Sequence, residues 1–443
     1  MKLNNTRTAL IGLAFLSICA FWQMYDNIIP LILTNTFHMD ETISGAIMAA
    51  DNVLALFLLP FFGALSDRTN TRIGRRMPFI LFGTAWAVVL MNVLPLLDNS
   101  YAQKPSAVKL VLFVATLGLL LVMMGTYRSP AVALMPDVTP KPLRSRANAI
   151  INLMGAVGGI AYLAVAAVMY PHAKTAGASH VDYQPLFIVV SVLMAVSVLV
   201  LYFTIREPKL AACQRAYEAE HPEQQLAEDD GSGTEVLPRA VKRSLAFLLV
   251  SIALWYIGYN AVTTWFTVYV GEMMGQGLGG ASTCLLIATG GAIASYLPIG
   301  ALASRIGRKK TILGGVVLLA VCFALAYFLT TTYTQINAVM FVVFALVGLA
   351  WAAINVNSLP MVVEMCRGSD IGKFTGYYYT FSMAAQVITP VLSGWLLKNV
   401  GYATLFPYAA FFTACSFATM CFVRHGDSRV ISKRGLEAFE DMD

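Results

Sequence analysis

Long apolar stretches, separated by short polar connections, recur along the whole chain. A bilayer core about 30 Å thick needs roughly 20 helical residues at about 1.5 Å per residue, and each stretch is near or above that length. They cover approximately residues 8–34, 43–65, 78–97, 107–136, 147–170, 185–205, 245–270, 280–303, 311–331, 336–363, 374–397 and 401–423. The pattern therefore predicts an all-α integral membrane protein with twelve transmembrane helices. The first stretch is too long for a signal peptide and lacks a cleavage site of small residues, so we expect it to be retained.

The composition and the placement of basic residues support the same class. Only 12% of the 443 residues are charged and 58% are apolar, whereas soluble domains contain roughly 25% charged residues. Of the 30 lysines and arginines, 25 fall at the termini or in alternate connections, and such residues stay on the cytoplasmic side. We therefore expect a cell-membrane protein with both termini in the cytoplasm. The net charge of +6 then reflects membrane topology, and the lipid bilayer rather than nucleic acid is the expected partner.

The chain divides into two similar halves. Residues 207–243, which include the acidic run EAEHPEQQLAEDDGSG, form the only long polar segment and predict a flexible cytoplasmic linker. It separates bundles of six helices at 1–206 and 244–424, and 425–443 form a cytoplasmic tail. The loop PFFGALSDRTNTRIGRRMPFI after helix 2 recurs in shortened form as PIGALASRIGRKKTIL after helix 8. Such repetition is typical of transporters in which two pseudo-symmetric bundles move around a central site.

These repeated loops and the six-plus-six plan resemble the major facilitator superfamily over nearly the whole chain. Within it, SDRTNTRIGRRMPFI and YRSPAVALMPDVTPKPLRSRAN are similar to the sucrose transporters and the neighbouring glycoside–pentoside–hexuronide:cation symporters. The resemblance implies secondary active transport by alternating access, with helices 1, 4, 7 and 10 lining the cavity. One departure concerns the coupling ion. Sodium-using relatives carry an Asp-x-x-x-Asp pair on helix 2, whereas this helix has only Asp51, followed by Asn52, which favours proton coupling.

Charged residues at the cytoplasmic helix ends are candidates for gating. Asp67 is not needed to orient the loop, and the resemblance implies that it pairs with a basic group and a helix N-terminus when the cytoplasmic side is closed. Arg128, Asp137 and Arg146 follow each other at intervals of nine residues, as Asn355, Glu364 and Lys373 do. We expect Asp137 with Arg146 and Glu364 with Lys373 to form mirrored latches. The predicted gating set is Gly63, Asp67, Arg68, Gly74, Arg75, Arg76, Asp137, Arg146, Arg305, Gly307, Arg308, Glu364 and Lys373.

Arg128 is the informative charge inside the membrane. It precedes Asp137 by nine residues, which places it about 13 Å from the cytoplasmic edge at a rise of about 1.5 Å per residue. An arginine at that depth requires a partner or water, and Asp26 on helix 1 and Asp51 on helix 2 are the candidates. One interpretation is a structural ion pair. The other is a proton switch, in which Asp51 or Asp26 binds a proton and releases Arg128 to bind sugar hydroxyls.

Polar and aromatic side chains share single faces of several helices. Amides offer donors and acceptors to hydroxyl groups, and aromatic rings match the apolar faces of sugar rings. Interhelical hydrogen bonding is the alternative role for any one of them. The predicted substrate-binding set is Trp22, Tyr25, Arg128, Asn152, Tyr256, Tyr259, Asn260, Trp351, Asn355, Tyr378 and Gln386.

The favoured hypothesis is a proton-coupled importer of a glycoside or disaccharide, such as a sucrose-like or maltose-like sugar. The alternatives are a sodium-coupled sugar symporter and a proton-antiport exporter of drugs or metabolites. Such exporters usually carry a proline in the glycine-rich part of helix 5, and NLMGAVGGIAYL has none. Buried charges argue against a non-transporting scaffold. Motifs for a phosphate-binding loop, a nucleophile elbow or a metal cluster are missing from the sequence, so we expect no enzyme, no cofactor or metal, and a monomer driven by an ion gradient.

Overall fold

The computed structural model describes residues 4–139, 141–175, 178–220, 238–365 and 371–427. Twelve helices in this part of the chain are long and apolar enough to cross a membrane, and the all-α prediction is confirmed. They are α1 (Asn5–Leu31), α2 (Glu41–Arg68), α3 (Met77–Gln103), α4 (Ala107–Val138), α5 (Lys141–Met169), α6 (Gln184–Thr204), α7 (Arg239–Met274), α8 (Leu278–Ile306), α9 (Arg308–Thr332), α10 (Ala338–Val363), α11 (Ile371–Asn399) and α12 (Leu405–Cys421).

Local signals account for several helix ends. Asn4 caps α1, because its Oδ1 accepts a hydrogen bond from the Arg7 backbone N–H at 3.0 Å, and Asn337 caps α10 in the same way at 3.1 Å. Gly275 ends α7 with a positive φ of 62°, a left-handed conformation that favours glycine. α1 is continued by a π-helical turn over Ile32–Thr36, just after Pro30, and prolines and π-turns commonly deform helices.

The chain clusters into two compact units. The N-terminal unit comprises Met1–Asp40, Ala50–His221 and Gly277–Gly279, and the C-terminal unit comprises Glu41–Ala49, Pro222–Gln276 and Gly280–Asp443. In the N-terminal unit α1 packs on α5 and α6, and α3 packs on α4 and α6. In the C-terminal unit α7 packs on α11 and α12, and α9 packs on α10 and α12. The two units therefore repeat one packing scheme, as the pseudo-symmetric pattern of the sequence predicts.

The segment predicted as a flexible linker is helical in part. Residues Glu207–Glu220 form a helix that packs against α4, and Ala211 and Gln214 are buried there. α7 also begins at Arg239, inside the predicted linker. The apolar pattern did not indicate either feature, because a surface helix of this kind needs only a narrow buried face.

Helices within each unit approach closely at glycine. A Cβ added to Gly158 of α5 would lie 2.0 Å from the Leu16 carbonyl oxygen of α1, and one added to Gly348 of α10 would lie 1.9 Å from the Ala288 carbonyl oxygen of α8. In lipid, where the hydrophobic effect does not drive helices together, such close van der Waals packing is a main source of association.

We expect Gly158→Ala to destabilise the protein by roughly 1–3 kcal/mol, because the added methyl group overpacks the α1–α5 contact. The matched control is Gly118→Ala on α4, where a Cβ would meet nothing within 4 Å and the alanine gains up to about 1 kcal/mol of helix propensity. Thermal unfolding of the purified protein in detergent measures both variants. Equal melting temperatures for the two would contradict the assigned contact.

Candidate functional site

The charged connection between α2 and α3 is organised around the guanidinium group of Arg76. Its Nε donates to Asp137 Oδ2 at 2.7 Å, and its Nη2 pairs with Asp67. Its Nη1 donates to the Ser66 hydroxyl and, at 3.4 Å, to the Gly63 carbonyl. Burial acts to lower the pKa of Arg76, but Asp137 and Asp67 outweigh it and raise that pKa above its ordinary value. The guanidinium therefore stays charged while it joins α2, α3 and α4.

A carboxylate that follows α6 holds the N-terminus of α3. Glu207 Oε1 accepts from the backbone N–H groups of Arg75 at 2.6 Å and Arg76 at 3.0 Å, and its Oε2 accepts from Met77 at 2.9 Å. Gly74 permits this approach, since its φ is 124° and a Cβ there would lie 2.2 Å from Glu207 Oε2. The first N–H groups of a helix lack intrahelical acceptors and carry partial positive charge. The carboxylate supplies both the missing hydrogen-bond acceptors and a compensating negative charge.

The structure corrects one predicted role in this loop and leaves another untested. Asp67 pairs with Arg76 of its own loop, whereas Glu207, which the sequence analysis missed, occupies the helix N-terminus. The second carboxylate, Asp137, contacts Arg76 and, at 3.3 Å, Arg75, whereas its predicted partner was Arg146. The side chain of Arg146 lies outside the described part of the structure. Tertiary packing decides both pairings, because the end of α4 meets the α2–α3 loop.

The C-terminal unit repeats this arrangement with different residues. Arg308 at the start of α9 forms an ion pair with Glu364 at the end of α10. Asp427, which follows α12, accepts from the Lys309 backbone N–H at 3.0 Å. Gly307 has a φ of 95°, and a Cβ there would lie 2.8 Å from Asp427 Oδ1. Asp427 therefore corresponds to Glu207, and an acidic residue soon after the last span of each half is the sequence signal for both.

The prediction for Lys373 remains untested, and two other members of the predicted gating set join none of these contacts within the described ranges. Lys373, the predicted partner of Glu364, has a side chain outside the described residues, and Glu364 contacts Arg308. Arg68 and Arg305 are exposed, and neither forms an ion pair within 4.0 Å in the described ranges. Their exposed positions favour a role in setting membrane topology over a role in an ion-pair latch.

Inside the N-terminal unit, α1 and α4 place a cation over an aromatic ring. The Arg128 Cζ lies 5.7 Å from the centroid of the Trp22 ring, a geometry in which the ring face attracts the cation. Trp22 in turn packs edge-to-face on Tyr25, with their centroids 5.4 Å apart. The guanidinium is half-buried and has no ion pair within 4.0 Å among the residues that the structure describes.

Asp26 and Asp51 belong to the same constellation. Arg128 acts electrostatically on Asp51, and Asp51 acts on Asp26. Asp51 Oδ1 accepts from the Asn52 side-chain amide at 2.8 Å. The structure thus groups the three predicted coupling residues without a direct salt bridge, so Arg128 keeps its donors unused by either carboxylate.

Several predicted substrate ligands of the N-terminal unit have polar atoms without a protein partner. Trp22 Nε1, Tyr25 Oη and Asn152 Nδ2 are buried and accept or donate no hydrogen bond within the described ranges. Buried polar groups normally find partners. Such orphaned donors are typical of positions that bind a polar ligand or water.

Aromatic residues cluster in the C-terminal unit. The rings of Tyr259 and Trp351 stack with centroids 3.7 Å apart and an interplanar angle of 7°, and Tyr256 meets Trp351 edge-on at 5.3 Å. A hydroxyl chain continues from Tyr256 to Tyr378 at 3.1 Å and on to Ser358 at 3.3 Å. α7, α10 and α11 therefore combine aromatic faces with hydroxyl groups.

Other residues at this cluster separate into two groups. The side chain of Tyr296 of α8, absent from the predicted set, lies beside that of Asn355. The sequence feature that could have indicated this residue is a tyrosine two positions before Pro298 in a largely apolar span. Asn260 Nδ2 is buried without a partner among the described residues. Gln386, by contrast, donates only to the Ser382 carbonyl of its own helix, at 3.4 Å, in the part of the chain described.

Comparison with known proteins identifies the family. Residues 11–296 and 278–438 match the model of the Major Facilitator Superfamily. The relatives include the MFS-type transporter ppzB of Metarhizium rileyi (27% identical, covering 32% of this chain and 28% of the relative), the sucrose transport protein SUC3 of Arabidopsis thaliana (30%, covering 28% and 23%) and the isoprimeverose transporter of Lactiplantibacillus pentosus (22%, covering 42% and 37%). The matched part thus spans less than two fifths of the length of each of these relatives.

Solved structures share the fold over nearly the full chain. A bacterial homologue of the iron transporter ferroportin in an inward-facing state aligns with a TM-score of 0.69 at 13% identity, covering 95% of this chain and 99% of that one. The nucleoside transporter NupG aligns with a TM-score of 0.63 at 16% identity, covering 96% and 100%. At such identity the likeness concerns the fold alone.

We expect Glu207→Gln to destabilise the protein by roughly 1–3 kcal/mol. The amide offers one acceptor oxygen and no charge to the N–H groups that the carboxylate satisfies at the start of α3. Thermal unfolding measures the loss, and Glu272→Gln, at an exposed glutamate, is the matched control. An unchanged melting temperature for Glu207→Gln would show that this carboxylate is dispensable.

Proposed function

We propose that this chain, which belongs to the Major Facilitator Superfamily, imports a glycoside or disaccharide together with a proton by alternating access. As a member of this family, the chain is a membrane transporter. The sugar is of a sucrose-like or maltose-like kind, and its uptake is driven by the proton gradient. Two relatives support the substrate class, since their names describe sucrose transport and isoprimeverose transport.

The observation that carries the proton coupling is the position of Arg128. It is a membrane-embedded cation held against Trp22 at 5.7 Å, with Asp51 within electrostatic reach and no salt bridge to it among the described residues. An arginine fully paired with a carboxylate would be structural. No carboxylate within the described ranges pairs with the Arg128 guanidinium, so its N–H groups can donate to a hydroxyl-rich ligand.

In the proposed cycle, the electrostatic contact between Arg128 and a carboxylate couples proton binding to sugar binding. The positive charge of Arg128 stabilises an ionised carboxylate at Asp51 or Asp26. When that carboxyl binds a proton from outside, Arg128 is released to donate to the sugar. Opening to the cytoplasm lets the proton leave, and Arg128 again compensates the carboxylate. The sugar is then bound most tightly when the proton is present, which is the requirement for symport.

The aromatic cluster of the C-terminal unit supports a sugar ligand. Trp351, Tyr256 and Tyr259 offer ring surface, and Tyr378 and Ser358 offer hydroxyl groups next to it. Sugars have apolar faces and polar edges, and this pairing of surfaces matches both.

The loop contacts support a gating role. Exposed ion pairs contribute about 0–1 kcal/mol each, but Arg76 is buried and links two carboxylates. Several contacts that break together bias an equilibrium between two states of similar energy. We assign Arg76, Asp67, Asp137, Arg308 and Glu364 to this role.

We expect that replacing the true proton site, by Asp51→Asn or Asp26→Asn, abolishes sugar accumulation while sugar exchange across the membrane continues. Exchange moves no net proton, so it does not require the titrating carboxyl. Reconstituted vesicles with labelled sucrose or maltose and an imposed pH or sodium gradient measure both activities, and Glu272→Gln is the control. Accumulation that survives both replacements would contradict the mechanism. Uptake driven by sodium alone would favour a sodium symporter, and proton-driven efflux would favour an exporter.

We expect Trp351→Leu to raise the sugar concentration needed for half-maximal exchange by about tenfold, or roughly 1.4 kcal/mol, because the stacking surface is lost. Trp395→Leu is the matched control, since that tryptophan is 50% exposed near the end of α11, a position typical of aromatic residues at the membrane–water interface. Exchange of labelled sugar at varied concentration gives the comparison. Equal effects of the two substitutions would remove Trp351 from the binding site.

A further inference from the structure

A second pair of ionisable groups lies in the N-terminal unit, at the end of α3 opposite the charged loop. Asp98 is completely buried, with 0% exposure. His180, in the connection between α5 and α6, places its Nε2 3.7 Å from Asp98 Oδ2. Neither carboxyl oxygen accepts a hydrogen bond from the described residues, and the Thr36 side chain lies beside the carboxyl but outside hydrogen-bonding geometry.

Other groups hold the imidazole in place without using Asp98. His180 Nε2 is 2.7 Å from Asn99 Oδ1, and Asn99 Nδ2 donates to Asp182 Oδ1 at 2.7 Å. That same Asp182 oxygen accepts from the Gln184 backbone N–H at 2.8 Å, and the Tyr170 hydroxyl donates to the Asp182 carbonyl at 2.8 Å. The position of the histidine is therefore built by the fold of the connection.

Other ionisable side chains lie at the same end of the unit, in the α5–α6 connection and on α4. Burial raises the pKa of Tyr170 to about 12 and raises that of Tyr183 further still. Asp182 is exposed and already accepts two hydrogen bonds. Lys109 of α4 donates to two carbonyls at the end of α3, at 2.7 and 2.8 Å. Asp182 and Lys109 thus have hydrogen bonds of their own, which the Asp98 carboxyl lacks among the described residues.

Neither group is stable as an isolated charge. A buried carboxylate without a donor is costly, and burial lowers the pKa of His180 below its ordinary value, with Asp182 acting in the opposite direction. One proton shared by the two groups removes the isolated charge, either as a carboxylic acid beside a neutral imidazole or as a carboxylate beside an imidazolium. We propose that Asp98 and His180 form a second proton-binding site, which holds one exchangeable proton and is separate from the Arg128 constellation.

The site connects external pH to the packing of the α5–α6 connection. With the proton bound, the connection covers an uncharged or internally compensated pair. Loss of the proton leaves a bare carboxylate charge beneath it, which favours opening toward water. In the predicted topology this end of the unit faces outward, so the proton comes from outside the cell.

Infrared spectroscopy of the purified protein tests the site directly. The full chain carrying Asp26→Asn and Asp51→Asn has lost both candidate coupling acids, and its difference spectrum between acidic and alkaline buffer reports other buried carboxyl groups. We expect a protonated-carboxyl band that titrates, and we expect Asp98→Asn in the same background to remove it. A missing band, or one that survives Asp98→Asn, would overturn the proposal.

Histidine substitutions test whether the proton is shared. In that background we expect His180→Gln to weaken proton binding, by about twofold for an evenly shared proton, because the proton loses its second position on the imidazole, whereas His172→Gln leaves the titration unchanged. An unmoved midpoint in His180→Gln would show that the carboxyl acts alone. Thermal unfolding confirms that each variant is folded. The measurement needs no transport, so failure of the proposed symport leaves its outcome decisive for this site.

Discussion

Inside a bilayer, each polar group has to find its partner within the protein, because the hydrocarbon offers none. This constraint explains why the chain is a set of long helices. It also explains where the charges lie. Most charged residues lie at the helix ends. There Arg76 pairs with two carboxylates, and Glu207 accepts hydrogen bonds from three backbone N–H groups. The few that remain within the spans therefore require a reason other than stability.

The two units share a packing scheme but carry different chemistry. The N-terminal unit holds the embedded charges, with Arg128 over Trp22 and two carboxylates within electrostatic reach. The C-terminal unit holds stacked rings and a chain of hydroxyl groups around Trp351 and Tyr378. This division matches the proposed symport, in which the N-terminal unit binds the proton and the C-terminal unit offers aromatic surface to the sugar.

Buried acids occur at two levels of the N-terminal unit and differ in their surroundings. Asp51 has an amide donor from Asn52 and a nearby guanidinium, so its charge is partly compensated. Asp98 has neither, and its one basic neighbour within 4.0 Å among the described residues is His180. The first environment suits exchange between a proton and a substrate-linked cation. The second suits a proton that is bound for the sake of local packing.

The sequence by itself determined the twelve spans, the repeated loops and the residues that carry charge into the membrane. Span length depends on bilayer thickness, and hydrophobic periodicity is local, so both can be read along the chain. Tertiary structure decided which charges meet. It paired Asp137 with Arg75 and Arg76, placed Glu207 and Asp427 at helix N-termini, and brought Tyr296 to Asn355. Each of these contacts joins groups that are remote in sequence, and no local pattern encodes the distance between such groups.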